Sequence, residues 1–188
     1  SPHVFFIEEN GAVSPKQFAQ YVASELDNFQ KKFPRRTLTI EEAQDVALWK
    51  QTEEVKTFSD DCSAVMGDTD GTWCVSFSET PENLSPSGLN RTAKVISVQQ
   101  LDDVPALISP YKAFLQTVGI AASPEELHRL AGLLGVVGVT RISALEHMTV
   151  PEAGWHHDGR FNLLDLITMT EVERSAEISA EAFSNYVD

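Results

Sequence analysis

Gly154-Trp155-His156-His157-Asp158-Gly159-Arg160 gathers two imidazoles, a carboxylate, a guanidinium and an indole between two glycines. Imidazole titrates closest to neutral pH, so His156 and His157 could shuttle protons with Asp158 beside them, and the flanking glycines would let a ligand come close to the backbone. The same residues suit a surface turn whose histidines cap neighbouring carbonyls, and spacing alone does not separate the two readings. Arg91 stands just before a strand-like run, where its fork could hold a phosphate or carboxylate or close a structural salt bridge. Gln116 lies within an apolar stretch, so its amide is either satisfied by backbone or faces a pocket.

The two thiols are weaker candidates. Cys74 sits in Thr72-Trp73-Cys74-Val75-Ser76-Phe77, where alternation makes it one face of a strand, and Cys62 follows Asp60-Asp61, whose charge would raise its pKa. Both read as reduced and structural. Asp68, Asp70 and Glu79 imitate the first, third and twelfth positions of a calcium loop, but Thr72 and Trp73 stand where a ligand and a glycine are needed. No metal site is expected.

These residues must be carried by a scaffold that 188 residues with 42% hydrophobic content can supply. Such a chain hides roughly 70% of its unfolded surface. A net charge of −14, from 28 acidic and 14 basic residues, argues against nucleic acid as a partner. No run of about 18 apolar residues suggests a membrane span, and no signal peptide is evident, so a cytoplasmic setting is expected. The chain opens on Ser1-Pro2-His3 and enters the apolar run Val4 to Ile7 at once, from which removal of an upstream segment is expected.

Val4 to Ile7 reads as a buried strand. Ser14 with Gln17 and Thr39 with Glu42 are capping boxes that open helices towards Phe33 and Lys56. Ser63 to Met66 and Thr72 to Phe77 form a hairpin about Gly67 to Gly71, residues 79–90 a long mobile loop, and Ala93 to Val98 a strand. Leu101 to Ile108 suits a short helix, Phe114 to Ile120 a strand, Ser123 to about Gly135 a capped helix and Val136 to Ile142 another strand. Leu163 to Met169 suits a last amphipathic helix, and about 176–186 a docked terminal one. The order predicts an α/β fold, one domain over 1–188.

Ser1-Pro2-His3-Val4-Phe5-Phe6-Ile7-Glu8, Gly67-Asp68-Thr69-Asp70-Gly71-Thr72-Trp73, Leu89-Asn90-Arg91-Thr92, Pro110 to Gly119 and Gly154 to Gly159 occur in an order and spacing that resembles the acyl-CoA reductase family of bacterial luminescence. The resemblance spans nearly the whole chain. It implies the C-terminal catalytic (substrate) domain of an aldehyde dehydrogenase-like enzyme, with a mixed, mostly parallel sheet and helices on both faces. It implies NADPH-dependent reduction of a fatty acyl thioester to an aldehyde through an acyl-cysteine. The family nucleophile immediately precedes the Ser-Pro element, so no catalytic residue falls within this chain, and the isolated chain is expected to be inactive.

By the same resemblance, NADPH is bound mainly by a missing N-terminal half, and the pocket candidates are Ser1, Pro2, Arg91, Thr92, Gln116, His156, His157 and Asp158. Arg91-Thr92 falls near where the superfamily holds the nicotinamide ribose, although Leu89 to Thr92 lacks the usual glutamate. Implied partners are fatty acyl-CoA or another acyl thioester, with a homo-oligomer or luminescence-type reductase subunits beside it. The alternatives are a non-catalytic ligand- or partner-binding α/β domain of the same ancestry, and an acylating dehydrogenase for short acyl thioesters or acyl phosphates.

Overall fold

Two helices start by the same reciprocal exchange in the computed structural model, which describes residues 2–161 and 163–183. The Ser14 hydroxyl accepts from the Gln17 amide while the Gln17 side chain accepts from the Ser14 amide, and Thr39 and Glu42 repeat the pattern. These boxes satisfy amides that a helix start leaves unpaired. They open α1 (Pro15–Lys32) and α2 (Ile40–Ser59). Arg36 forks onto Glu42 at 2.8 and 2.5 Å, and together with the Thr39 amide it holds that carboxyl down at about 2.

The chain divides into two units, Ser1–Val150 and Pro151–Asp188. In the first, β1 (Val4–Glu8), β2 (Ser63–Gly67), β3 (Cys74–Ser78) and β4 (Thr92–Val98) form one sheet in the order β1-β4-β3-β2. β4 runs parallel to both β1 and β3, and only the β2–β3 pair is antiparallel. Every residue of β3 and β4 is buried, as the central strands of a sheet covered on both faces must be. The sheet is therefore mixed and mostly parallel, as expected.

Side-chain alternation sorts what each face meets. Phe5, Ile7, Val75, Phe77 and Val95 face α1, whose contact residues Ala19 and Ala23 are small enough to bring the helix close. The opposite face carries Ser76 and Lys94, which meet α2. Beyond them Phe6 joins a second cluster around Ile108, Leu130, Leu134 and Val139, from α3 (Val104–Ile108), α4 (Pro124–Val136) and the segment after it.

Two strand expectations were too long. Pro110 and the kink at Tyr111 (φ −102°, ψ 17°) keep Ser109–Phe114 in a 3-10 turn, leaving β5 as Thr117–Gly119. The apolar run from Val136 is divided: α4 persists through Gly132 and Gly135 because Leu130 and Leu134 are core residues, and β6 is Arg141–Ser143. The helix closes with Gly138 at φ +98°, donating to the Gly135 carbonyl while Val139 donates to Leu134. Such a left-handed exit is nearly free for glycine alone. β5 and β6 pair in parallel as a small second sheet.

In the second unit, the helix expected over Leu163 to Met169 is only a 3-10 turn, Leu164–Leu166. Leu163, Leu166, Ile167 and Met169 are exposed, so no burial offsets the entropy of ordering a longer helix. The terminal helix is α5 (Arg174–Glu181), and every residue of it is exposed. The expected extension to 186 lies partly outside the described residues.

Candidate functional site

Parallel strands that share a direction also share an edge. β1, β3 and β4 all begin at one edge of the sheet, with Val4 opposite Lys94 and Cys74 opposite Thr92. The His3 carbonyl accepts from the Lys94 amide at 3.0 Å, so Pro2-His3 continues the register alongside Thr92-Ala93. The β2–β3 turn reaches the same edge, and Asp68 is consumed in bracing it: the carboxylate accepts from the Thr72 amide at 2.6 Å and the Trp73 amide at 3.3 Å. Of the candidates, Pro2, Arg91 and Thr92 thus come together. Ser1 lies outside the described residues.

Leu89, Asn90 and Arg91 have φ of 59°, 48° and 72°, a left-handed run of three residues that all carry a Cβ. Such a run persists only where its surroundings over-determine it. The Thr92 amide and hydroxyl both donate to the Leu89 carbonyl, at 3.1 and 2.9 Å. Arg35 donates to the Asn90 and Gly71 carbonyls, each at 3.1 Å, tying the turn to its neighbour. Arg91 donates to the Gln30 side chain and the Phe33 carbonyl at the end of α1, and its guanidinium lies 5.0 Å from the Phe29 ring centroid. Arg91 is thus a structural clamp, though bonded to neutral groups rather than a carboxylate.

Residues 79–91 are fastened rather than loose. Ser87 bonds His3 Nδ1 at 3.1 Å, the Leu84 amide donates to Leu107, and Glu82 reaches under the sheet. At Gly88 a Cβ would come 3.0 Å from Trp49 Cβ and 3.3 Å from Val46 Cα, so a side chain there would have to push the loop a few tenths of an ångström away from α2. The expectation of a mobile segment gives way to a return path pinned along its length.

Gln116 stands just before β5, where its carbonyl accepts from the Thr140 and Arg141 amides. His156, His157 and Asp158 belong to the second unit and are exposed. His157 Nδ1 lies 3.1 Å from Asp158, its ring lies 5.0 Å from Trp155, and His156 meets Phe161 edge-on at 4.9 Å. Asp158 has φ +53°, in keeping with a turn.

The densest charge cluster was not anticipated. Lys94 has no exposed side-chain surface, and its ammonium lies 3.2 Å from Glu53 and 2.8 Å from Glu82, while Lys56 bridges the same two carboxylates at 2.9 and 3.1 Å. Ser76 donates to Glu53 from β3. Burial pushes both carboxyls up, but the outcome is a lowering: Ser76, Lys56 and Lys94 prevail at Glu53, and Lys94 with Lys56 at Glu82. A lysine within Ala93-Lys94-Val95-Ile96 was the available signal, since burial of an ammonium demands partners.

Because both carboxyls fall below the ordinary 4.5, their stabilisation is fully present above that pH and is lost as pH falls through the lower folded values. The urea midpoint should therefore decline on acidification below about 4.5. Glu82→Gln should flatten that decline, and an acid limb unchanged by the substitution would refute the assignment.

A family model described as acyl-CoA reductase (LuxC) matches residues 1–169. The chain belongs to that family. No curated protein matches it. Neither thiol of the chain is poised as a nucleophile. Cys74 is buried, which pushes its pKa up to about 11. Cys62 is exposed, but the charge of Asp60 and its hydrogen bond raise that thiol as well. Among the described residues no cluster of three or more histidine, cysteine or acidic side chains could hold a metal, and no helix is long and apolar enough to cross a membrane.

Proposed function

We propose that this chain is the substrate-side part of a cytoplasmic, aldehyde dehydrogenase-like fatty acyl-CoA reductase, whose acyl-accepting cysteine immediately precedes Ser1 in the full-length parent. The observation that carries this reading is the shared edge. Pro2-His3, the left-handed turn Leu89 to Arg91 and the braced Asp68 turn meet there, so a thiol delivered just before Ser1 would stand beside two rigid loops. The family match supports the reaction class.

The thiolate attacks the thioester carbonyl, a carbon–sulfur bond forms to cysteine, and CoA departs as its thiolate with the bonding pair. Residues of this chain position the strand that presents the nucleophile. His3 does so through its carbonyl on Lys94 and its ring on Ser87. NADPH is the proposed hydride source, but the Arg91-Thr92 position does not fit its ribose: Thr92 is engaged with Leu89, Arg91 with α1, and no glutamate stands there. The cofactor is therefore assigned mainly to the half of the parent outside these residues.

Intact-mass analysis of the parent after exposure to a long-chain acyl-CoA without NADPH tests this. One acyl adduct should map to the cysteine before Ser1. An adduct on Cys62 or Cys74, or none, would overturn the proposal. A kcat/KM profile peaking at acetyl rather than long-chain donors would shift it to a short-acyl dehydrogenase.

A further inference from the structure

Four of the 14 basic residues occupy six positions, Lys31-Lys32-Phe33-Pro34-Arg35-Arg36, in a chain of net charge −14. Arg91 joins them through its bonds to Gln30 and Phe33. Lys31 and Arg36 are neutralised by Asp27 and Glu42, at 2.6 and 2.5 Å. Lys32, Arg35 and Arg91 have no carboxylate within ion-pair distance among the described residues. Arg35 donates only to carbonyls and a glutamine accepts at Arg91, so their charges stand uncancelled at this edge.

Desolvation lowers the pKa of Arg35, and the nearby charge of Arg91 lowers it further, with Asp68 a smaller opposing influence. Two guanidiniums held in mutual repulsion favour an anion near both.

Aromatic rings share the patch. Phe29 and Phe33 lie 5.1 Å apart between centroids and are 49% and 50% exposed. Lys32 stands 5.2 Å over Phe33 and Arg91 5.0 Å over Phe29. An open groove of about 690 Å³ runs from these rings along α1 past Tyr21 and Glu25. Half-exposed rings beside uncancelled cations suit a ligand with both a flat heterocycle and a phosphate, since rings stack on the former and ammonium and guanidinium groups hold the latter. Glu25 lies seven residues from Lys32, about 10 Å along the helix, so its carboxylate does not oppose the phosphate end.

We propose that Lys32, Arg35 and Arg91, with Phe29 and Phe33, form a binding site for an adenosine phosphate, the chemistry shared by the tail of CoA and by NADPH. The site rests on the acyl-CoA reductase reading only for its physiological ligand. It lies beside the turn Leu89 to Arg91, so a nucleotide held there would approach the edge at which the acyl group is transferred.

Titration of the 188-residue chain with adenosine 3′,5′-bisphosphate, adenosine 2′,5′-bisphosphate and inorganic pyrophosphate at low salt decides the matter. At least one adenosine bisphosphate should bind, more tightly than pyrophosphate, and the binding should weaken as salt rises. Preference for the 3′,5′ isomer assigns the site to CoA, and preference for the 2′,5′ isomer to NADPH. Lys32→Glu, at an exposed position, should weaken binding about tenfold or more. Phe33→Ala should erase the preference over pyrophosphate, and Lys16→Glu at the far end of α1 should change nothing. No binding, binding of pyrophosphate as tight as either nucleotide, or equal loss with Lys16→Glu overturns the site.

The two readings fail separately. A parent without reductase activity whose chain still binds the nucleotide loses the enzyme and keeps the site. A parent with Lys32→Glu that turns over at wild-type KM for both acyl-CoA and NADPH keeps the enzyme and loses the site.

Discussion

Lys94→Met should cost the first unit about 3–5 kcal/mol, the usual penalty for stripping one partner from a buried ion pair. The ammonium has no exposed surface, and it neutralises Glu53, whose side chain is only 5% exposed. Methionine fills most of the volume, so the loss should arise from the carboxylate left behind rather than from a cavity. Lys56 remains beside Glu53, but it is partly solvated and already shared with Glu82. The double substitution Glu53→Gln with Lys94→Met should therefore recover a substantial part of the loss, which urea unfolding of the two single variants and the double would read directly. A single-variant loss below about 1 kcal/mol, the range of surface pairs, would mean that the cluster is effectively hydrated. The consequence reaches the candidate site, because Glu82 anchors the return loop whose far end forms the left-handed turn at Leu89 to Arg91.

Local chemistry made much of the fold legible. The capping boxes at Ser14 and Thr39, and the cap with its proline and acidic first turn at Ser123, marked the helix starts, because the residues that satisfy a helix's first amides lie within one turn of each other. The β2–β3 hairpin and β4 followed from turn residues and β-branched runs. The extent of β5 and β6 did not, since whether Val136 continues a helix or starts a strand depends on Leu130 and Leu134 finding a core partner elsewhere. The same division applies to function. Family membership could be read from ordered motifs, and the structure shows how three of those motifs reach one edge. That Arg91 would be occupied by α1, or that Glu82 would come back beneath Lys94, depends on contacts across 58 and 12 residues of chain that no local pattern encodes.

The isolated chain should show no acyl-CoA reductase turnover, and Cys62→Ser and Cys74→Ser should leave kcat/KM of the full-length parent within about twofold. A thiol with a pKa of about 11 is ionised to roughly one part in ten thousand at pH 7, whereas catalytic thiols are commonly brought down to about 3.5–7.5. Cys74 therefore begins some thousandfold or more behind before access is considered, and its side chain is enclosed within the sheet. Cys62 has access, but Asp60 and Glu79 face it with negative charge, the wrong sign for stabilising a thiolate. Replacing the cysteine proposed to precede Ser1 should, by contrast, abolish acyl transfer in the parent. Acyl-CoA-dependent NADPH oxidation, followed for the chain, the two serine variants and that replacement, separates the cases. Loss of activity in Cys74→Ser with an unchanged urea midpoint would place the chemistry inside this sheet and overturn the edge as the reacting site.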